Sequence, residues 1–202
     1  MNLYETQYKS LQFERAGLFK VILEKYPGRT VLYPGCSVHI TPSLYFPHVV
    51  YVDESPVAAN FFANERFIAE FVSRNKQYKQ SAYVRFLQQD FSTPLSLTEN
   101  SFDLLFALFA GGIAKTCVRY LKVGGFLLTN NHQGDANDAA NRGDLRLKAQ
   151  IRFQKGAYQA SEYDLSEQDI PLKKLNSKYL KQVDQGVAYI EHEIYYLFQR
   201  SH

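Results

Sequence analysis

Tryptophan is absent from this chain of 202 residues, methionine occurs once, and there are two cysteines, Cys36 and Cys117. Two cysteines cannot build a disulfide framework, which excludes a stapled secreted scaffold. No stretch approaches the about 18 consecutive apolar residues that a membrane-spanning helix needs. Met1 to Tyr8 is polar and no apolar signal-type segment follows it, so a cytoplasmic protein is expected. An excess of one charge is missing too: 23 Lys and Arg against 20 Asp and Glu leave a net charge of +3. Division at His132 gives 13 basic and 10 acidic residues before it and 10 of each after it, so neither half carries a nucleic-acid or membrane-surface footprint. Repeats, low-complexity stretches and linkers are also lacking, and a single domain over 1–202 is expected. Aromatic residues are what the chain has in plenty, 15 Tyr and 15 Phe, within an ordinary globular composition of 46% hydrophobic and 21% charged residues.

The apolar residues are spaced in two ways. Leu11, Ala16, Leu18, Phe19, Ile22 and Leu23 repeat at helical spacing and predict an N-terminal helix over about 9–26, stopped by Pro27-Gly28. Thr30 to Tyr33 is a short β-branched and aromatic strand closed by Pro34-Gly35, and Thr41-Pro42 predicts a brief helix. His48 to Val52 is a second strand ending at Asp53. Ser55-Pro56 then opens a helix running to Arg74-Asn75. Tyr83 to Leu87 and Leu104 to Phe109 read as the third and fourth strands, with Ser92 to Asn100 as a turn or loop between them. A helix over Ile113 to Leu121 precedes a fifth strand, Phe126 to Thr129. Near-continuous apolar strands joined by crossovers predict a parallel sheet covered on both faces. After His132 the apolar residues alternate strictly with polar ones over Leu145 to Phe153, as in a half-exposed strand. A turn at Lys155-Gly156, a return strand at Tyr158 to Glu162, a helix over Ser177 to Gln185 and a final strand over Val187 to Phe198 complete the chain. Antiparallel strands over about 144–199 are therefore expected to extend the parallel half, about 30–132.

Ligands of open parallel sheets bind beyond the carboxyl ends of the strands, where strand order reverses. The bend Tyr33-Pro34-Gly35-Cys36-Ser37-Val38-His39 follows the first strand, and a helix starting at Thr41 would offer open N–H groups to an anion. Asp53, twenty residues after Tyr33, closes the second strand beside Glu54 and can accept two ribose hydroxyls. Asp90 closes the third strand next to Phe91 and can accept from an adenine amino group. The three positions are spaced like a nucleoside-binding edge.

These residues, with Ser101-Phe102-Asp103-Leu104-Leu105 and Leu121-Lys122-Val123-Gly124-Gly125-Phe126-Leu127-Leu128, resemble the class I S-adenosylmethionine-dependent methyltransferases over roughly 30–132. The resemblance implies an α/β, Rossmann-like methyltransferase fold: a mostly parallel twisted sheet, helices on both faces and antiparallel C-terminal strands. It implies S-adenosylmethionine as cofactor. The methionine part would lie on Tyr33, Gly35, Ser37 and His39, the ribose on Asp53 and Glu54, and the adenine on Asp90 and Phe91. The family carries an acidic residue where Tyr33 stands and glycines where Ser37 and His39 stand, so the bend marks a divergent branch. A β-carbon at those two positions crowds a cofactor. His39 either touches the cofactor or fills the space that a missing glycine leaves.

The resemblance places the methyl acceptor after the fourth and fifth strands, at Leu108 to Gly112 and Asn130 to His132. The first stretch is apolar and lacks the Asn/Asp-Pro-Pro-aromatic motif of amino-methylating nucleic-acid enzymes, which favours a small-molecule acceptor. In the second, Asn130 and Asn131 can orient a substrate, and His132 titrates near neutrality and can take its proton. No metal is expected, because the Cys-x-x-His spacing of Cys36 and His39 has no second ligand pair. Two alternatives stay open: a catalytically silent methyltransferase-like binding protein, and a nicotinamide-dependent oxidoreductase. The second keeps only Gly35 of a Gly-x-Gly-x-x-Gly pattern, and none of the 15 tyrosines has a lysine four residues on.

Overall fold

A computed structural model describes residues 3–163 and 193–202. Five strands form the parallel half of its sheet: β1 (Thr30–Pro34), β2 (His48–Val52), β3 (Tyr83–Leu87), β4 (Phe102–Ala107) and β5 (Leu121–Thr129). They consist largely of Val, Leu, Tyr and Phe, which suit a pleated surface; β1, β2 and β4 are buried on both faces, whereas the edge strand β3 has no buried residue. β6 (Leu145–Gln154), β7 (Ala157–Glu162) and β8 (Ile194–Arg200) extend the sheet in the order β3-β2-β1-β4-β5-β8-β6-β7. β1 pairs in parallel with both β2 and β4, so strand order reverses between β1 and β4. Pairing becomes antiparallel at β5–β8, β8–β6 and β6–β7. The last strand thus inserts between β5 and β6, and β6 runs in the direction of β5.

Side chains alternate across each strand, and both faces are apolar. Val31, Tyr33, Tyr51, Leu104 and Phe106 pack beneath α1 (Ala16–Lys25), α2 (Pro56–Ala63) and α3 (Glu65–Asn75). Leu32, Val50, Leu105, Ala107 and Leu127 pack against α4 (Ile113–Thr116) and α5 (Asp135–Ala140). Each fully buried Leu, Val or Phe contributes about 1.5–3 kcal/mol. The aromatic abundance serves this packing: Phe106 lies 5.4 Å from Phe19, 5.6 Å from Phe46 and 6.1 Å from Tyr33. The expected α/β sheet, parallel first and antiparallel at its C-terminal strands, is what the chain forms.

Element boundaries differ from expectation at three places. α1 begins at Ala16, not near Leu11, because Arg15 takes a left-handed conformation (φ 53°). The helix expected to run unbroken from Ser55 to Asn75 divides at Asn64, whose backbone leaves helical geometry (φ −81°, ψ 66°) while its carboxamide accepts the Phe67 N–H and starts α3. The helix expected over 113–121 stops at Thr116, and β5 starts at Leu121 instead of Phe126. Gly125 makes that longer strand feasible, since a Cβ there would lie 2.8 Å from the Asp103 carbonyl oxygen. Asp103 itself serves the amino end of the sheet. Burial would raise its pKa, but Lys122 and the N–H groups of Arg29 and Thr30 hold it down at about 2.

The helix expected over 177–185 and the start of the last strand, 187–192, lie outside the described residues. Among the described residues no helix is long and apolar enough to cross a membrane.

Candidate functional site

The bend after β1 and the end of β2 are stitched together. Gly35 (φ 65°) donates its N–H to the Val52 carbonyl at 2.8 Å. Ser37 (φ 47°) donates its N–H to Asp53 Oδ2 at 2.8 Å, and Asp53 Oδ1 accepts the Ser55 N–H at 2.9 Å. Each carboxylate oxygen keeps a lone pair for a further donor, so two neighbouring hydroxyls can still be accepted. Glu54 beside it is exposed. Asp90 closes an Asx turn, accepting the Ser92 N–H at 2.8 Å and the Ser92 hydroxyl at 2.6 Å, and these bonds lower its pKa. The half-buried Phe91 ring points back toward Gly35, 3.5 Å from where a Cβ on that glycine would sit.

His39 and Tyr33 lie beneath the bend in the aromatic core, 1% and 2% exposed. His39 Nε2 lies 3.1 Å from the Glu14 carbonyl oxygen, and a carbonyl can only accept, so Nε2 carries the proton. Nδ1 then accepts the Tyr33 hydroxyl at 3.0 Å. Tyr8 stacks on the imidazole at 4.4 Å. Burial, together with the nearby Arg15 charge, pushes the His39 pKa down to about 3, and the ring stays neutral. Both nitrogens are engaged by the protein, so His39 fills the space beside the bend. The expected anion-receiving helix start is also changed. Thr41–Leu44 is a buried 3₁₀ turn, and its Ser43 N–H already meets the Ile40 carbonyl and the Tyr51 hydroxyl at 3.0 and 3.1 Å.

The loops after β4 and β5 form the other side. Asn130 Oδ1 accepts the Phe109 N–H at 3.1 Å, and its carboxamide favours the ionised form of the nearby Glu193. Asn131 is 7% exposed, and its Oδ1 accepts the N–H groups of Ala136 and Asn137, capping α5. These two carboxamides, expected to orient a substrate, hold loops. His132 is half-buried with its ring 6.0 Å from Phe109; its buried Nδ1 has no hydrogen-bond partner among the described residues, and burial lowers its pKa. Phe109, Asn131 and Gln133 share with Ser37 a left-handed backbone (φ 47° to 62°). Such conformations are costly outside glycine and gather where a fold shapes a site.

Three residues at this end had no signal in the sequence. Arg15, 5% exposed, donates Nε to the Tyr195 hydroxyl at 2.7 Å and meets both Glu193 carboxylate oxygens at 3.2 Å. Its guanidinium also lies over the Phe109 ring, 4.3 Å from the centroid. Burial works against the Arg15 charge, and the Glu193 carboxylate more than offsets it. The partners are 178 residues apart in the chain, beyond any local pattern.

A groove of about 920 Å³ lies elsewhere, between α2, α3 and edge strand β3, and none of the expected site residues lines it. Among the described residues no three of His, Cys, Asp and Glu gather as metal ligands, and Cys36 and Cys117 are both buried thiols.

No protein-family model matches the sequence. No curated protein matches it either. Solved structures do. A S-adenosylmethionine-dependent methyltransferase of Thermotoga maritima, described as a possible histamine N-methyltransferase, is 12% identical with a TM-score of 0.53, over 98% of this chain and 94% of that one. A tRNA (m1A58) methyltransferase of Aquifex aeolicus is 12% identical with a TM-score of 0.51, over 93% of this chain and 68% of its own. An rRNA methylase of Streptococcus thermophilus is 8% identical with a TM-score of 0.50, over 92% and 95% of the two chains. At these identities the likeness is one of architecture: the chain has the Rossmann-like fold of the S-adenosylmethionine-dependent methyltransferases.

Proposed function

We propose that this protein is a methyltransferase that takes S-adenosylmethionine and methylates a small-molecule acceptor. One observation carries the reading. Asp53 sits at the carboxyl end of β2, bonded to Ser37 of the bend that follows β1, with lone pairs left on both oxygens. A carboxylate so placed suits the paired hydroxyls of a ribose, and the reversal of strand order next to β1 is where such sheets take nucleotides. In this reading Asp53 holds the ribose with Glu54 beside it, Asp90 and Phe91 meet the adenine, and the Gly35 and Ser37 backbone faces the methionine part. Tyr33 and His39 set the bend from below. When bound, the cofactor supplies an activated methyl group, and orientation of the acceptor is worth about 7–11 kcal/mol. His132, half-buried in the loop after β5, accepts the proton that the acceptor nucleophile loses. Asn130 and Asn131 fix the loops that carry His132 and Phe109. The near-neutral charge supports a small acceptor over a nucleic acid.

Thermal denaturation with S-adenosylmethionine, S-adenosylhomocysteine, reduced nicotinamide nucleotide and duplex DNA tests this. A rise in Tm with the two adenosyl ligands alone is expected. No shift at millimolar adenosyl ligand would favour the silent binding protein, a reading that draws on the methyl group of Ala110 lying over Gly35. Tight duplex binding at physiological salt would overturn the small acceptor.

A further inference from the structure

Gly35 is where the bend can come closest to a ligand, and it is covered. A Cβ built there would lie 2.5 Å from the Cβ of Ala110. Ala110 belongs to the loop leaving β4, and that loop is gripped at both residues flanking Ala110. The Phe109 N–H is accepted by Asn130, and the Phe109 ring carries the Arg15 guanidinium at 4.3 Å, a cation–π contact strengthened by burial. Gly111 lies under Gln133, whose Cβ and Oε1 would be 2.6 and 2.7 Å from a Cβ at that glycine. Phe109 and Gln133 both hold left-handed backbone to make these contacts. The two grips on Phe109 are not independent. Glu193, with a side chain only 9% exposed, bonds Arg15 through both oxygens, and the Asn130 carboxamide beside it favours its ionised form. A single buried carboxylate therefore ties together the N-terminal segment, the start of β8 and the loops after β4 and β5.

We propose that Arg15, Glu193 and Asn130 are positioning residues that clamp Phe109 and so seat Ala110 on Gly35, and that the cofactor reaches the bend only when residues 108–112 lift. The inference rests on the cofactor reading above and adds how access to that site is controlled. The clamp selects a closed loop in the free protein, so the ligand's observed affinity is its intrinsic affinity reduced by the open fraction. Weakening the clamp raises that fraction without touching the residues that hold the ribose or adenine.

Amide hydrogen exchange tests the clamp without any ligand. In Phe109→Leu, which keeps apolar volume and removes the aromatic face, exchange across 108–112 should rise at least tenfold while β1 and β4 keep their protection. Arg15→Lys, which keeps the charge and loses the planar contact, should behave alike. Unchanged protection of 108–112 in both variants would overturn the clamp. Calorimetry with S-adenosylhomocysteine tests the gate. Ala110→Gly leaves every clamp contact in place and should lower Kd several-fold, and Ala110→Val should raise it. Equal Kd in wild type and both variants would overturn the gate while leaving the cofactor reading intact. Absence of binding at millimolar ligand in wild type and Ala110→Gly alike would overturn the cofactor reading and the gate with it.

Discussion

The Ser37 amide donates to Asp53 Oδ2 at 2.8 Å across sixteen residues of chain, so the carboxylate that ends β2 also holds the bend that follows β1. The same side chain accepts the Ser55 N–H, which places Ser55 to cap α2. Asp53 thus shapes the site before any ligand arrives, and its substitution is expected to act on stability and on binding separately.

Asp53→Ala removes the acceptor of two backbone N–H groups. A loss of about 2–3 kcal/mol is expected from charge-assisted bonds of this kind, measured by urea denaturation. Asp53→Asn keeps one acceptor oxygen and should lose about 1 kcal/mol. Both variants should bind S-adenosylhomocysteine at least tenfold more weakly by calorimetry. Equal weakening of stability in the two with unchanged affinity would assign Asp53 to the fold alone.

Gly35→Ala meets two penalties: a side chain at φ 65° and a 2.5 Å approach to Ala110. The left-handed conformation by itself costs about 1–2 kcal/mol. The variant should be destabilised by at least that amount and should lose ligand binding. At Gly143→Ala no heavy atom of the described residues beyond the chain neighbours lies within 4 Å of the added carbon, and the variant should stay within about 0.5 kcal/mol of wild type.

His39 is neutral by its pKa of about 3, with the proton on Nε2. Its ring nitrogen resonances should show that tautomer unchanged from pH 8 to pH 5. His39→Ala should cost about 3 kcal/mol through the cavity among Tyr8, Phe19 and Tyr33 and the unpaired Tyr33 hydroxyl. A titration near neutrality would mean that the ring is reached by water.

Asp135 is fully buried. Its Oδ1 accepts the Ala114 N–H at 2.9 Å, its Oδ2 has no hydrogen-bond partner among the described residues, and burial raises its pKa to about 6 from the usual 3.8. The folded chain therefore keeps a proton that the unfolded chain releases near 3.8, and Asp135 makes stability fall as pH rises from about 4 to about 6. Asp135→Asn should lack that component. Urea midpoints at pH 4.5 and 7.5 check it: the stability of the variant relative to wild type should be greater at pH 7.5 than at pH 4.5.

The strands β1 to β5 were legible because their cause is local. In β1, β2 and β4 continuous apolar runs are satisfied by burial on both faces, the edge strand β3 shows itself through its aromatic and β-branched residues, and Pro34-Gly35, Ser55-Pro56 and Lys155-Gly156 end or begin elements through their own backbone preferences. The break at Asn64 was not legible, since an Asn within an amphipathic run gives no sign of whether its carboxamide will cap a new helix. Asp53 was found from its interval to the bend, and its bond to Ser37 follows from the parallel pairing of β1 with β2. His39 was ambiguous in the sequence, and its burial was decided by Tyr8 and the Glu14 carbonyl, which reach it from another segment.

By itself, then, the sequence determined an α/β sheet, the place of the bend and the carboxylate beside it, all through spacings within a few tens of residues. Tertiary structure alone decided that β8 slots between β5 and β6, that Arg15 meets Glu193 across 178 residues, and that Ala110 rests on Gly35. The physical reason is range: backbone preference and hydrophobic period act between neighbours, whereas a buried ion pair or a methyl seated on a glycine exists only once distant segments have packed.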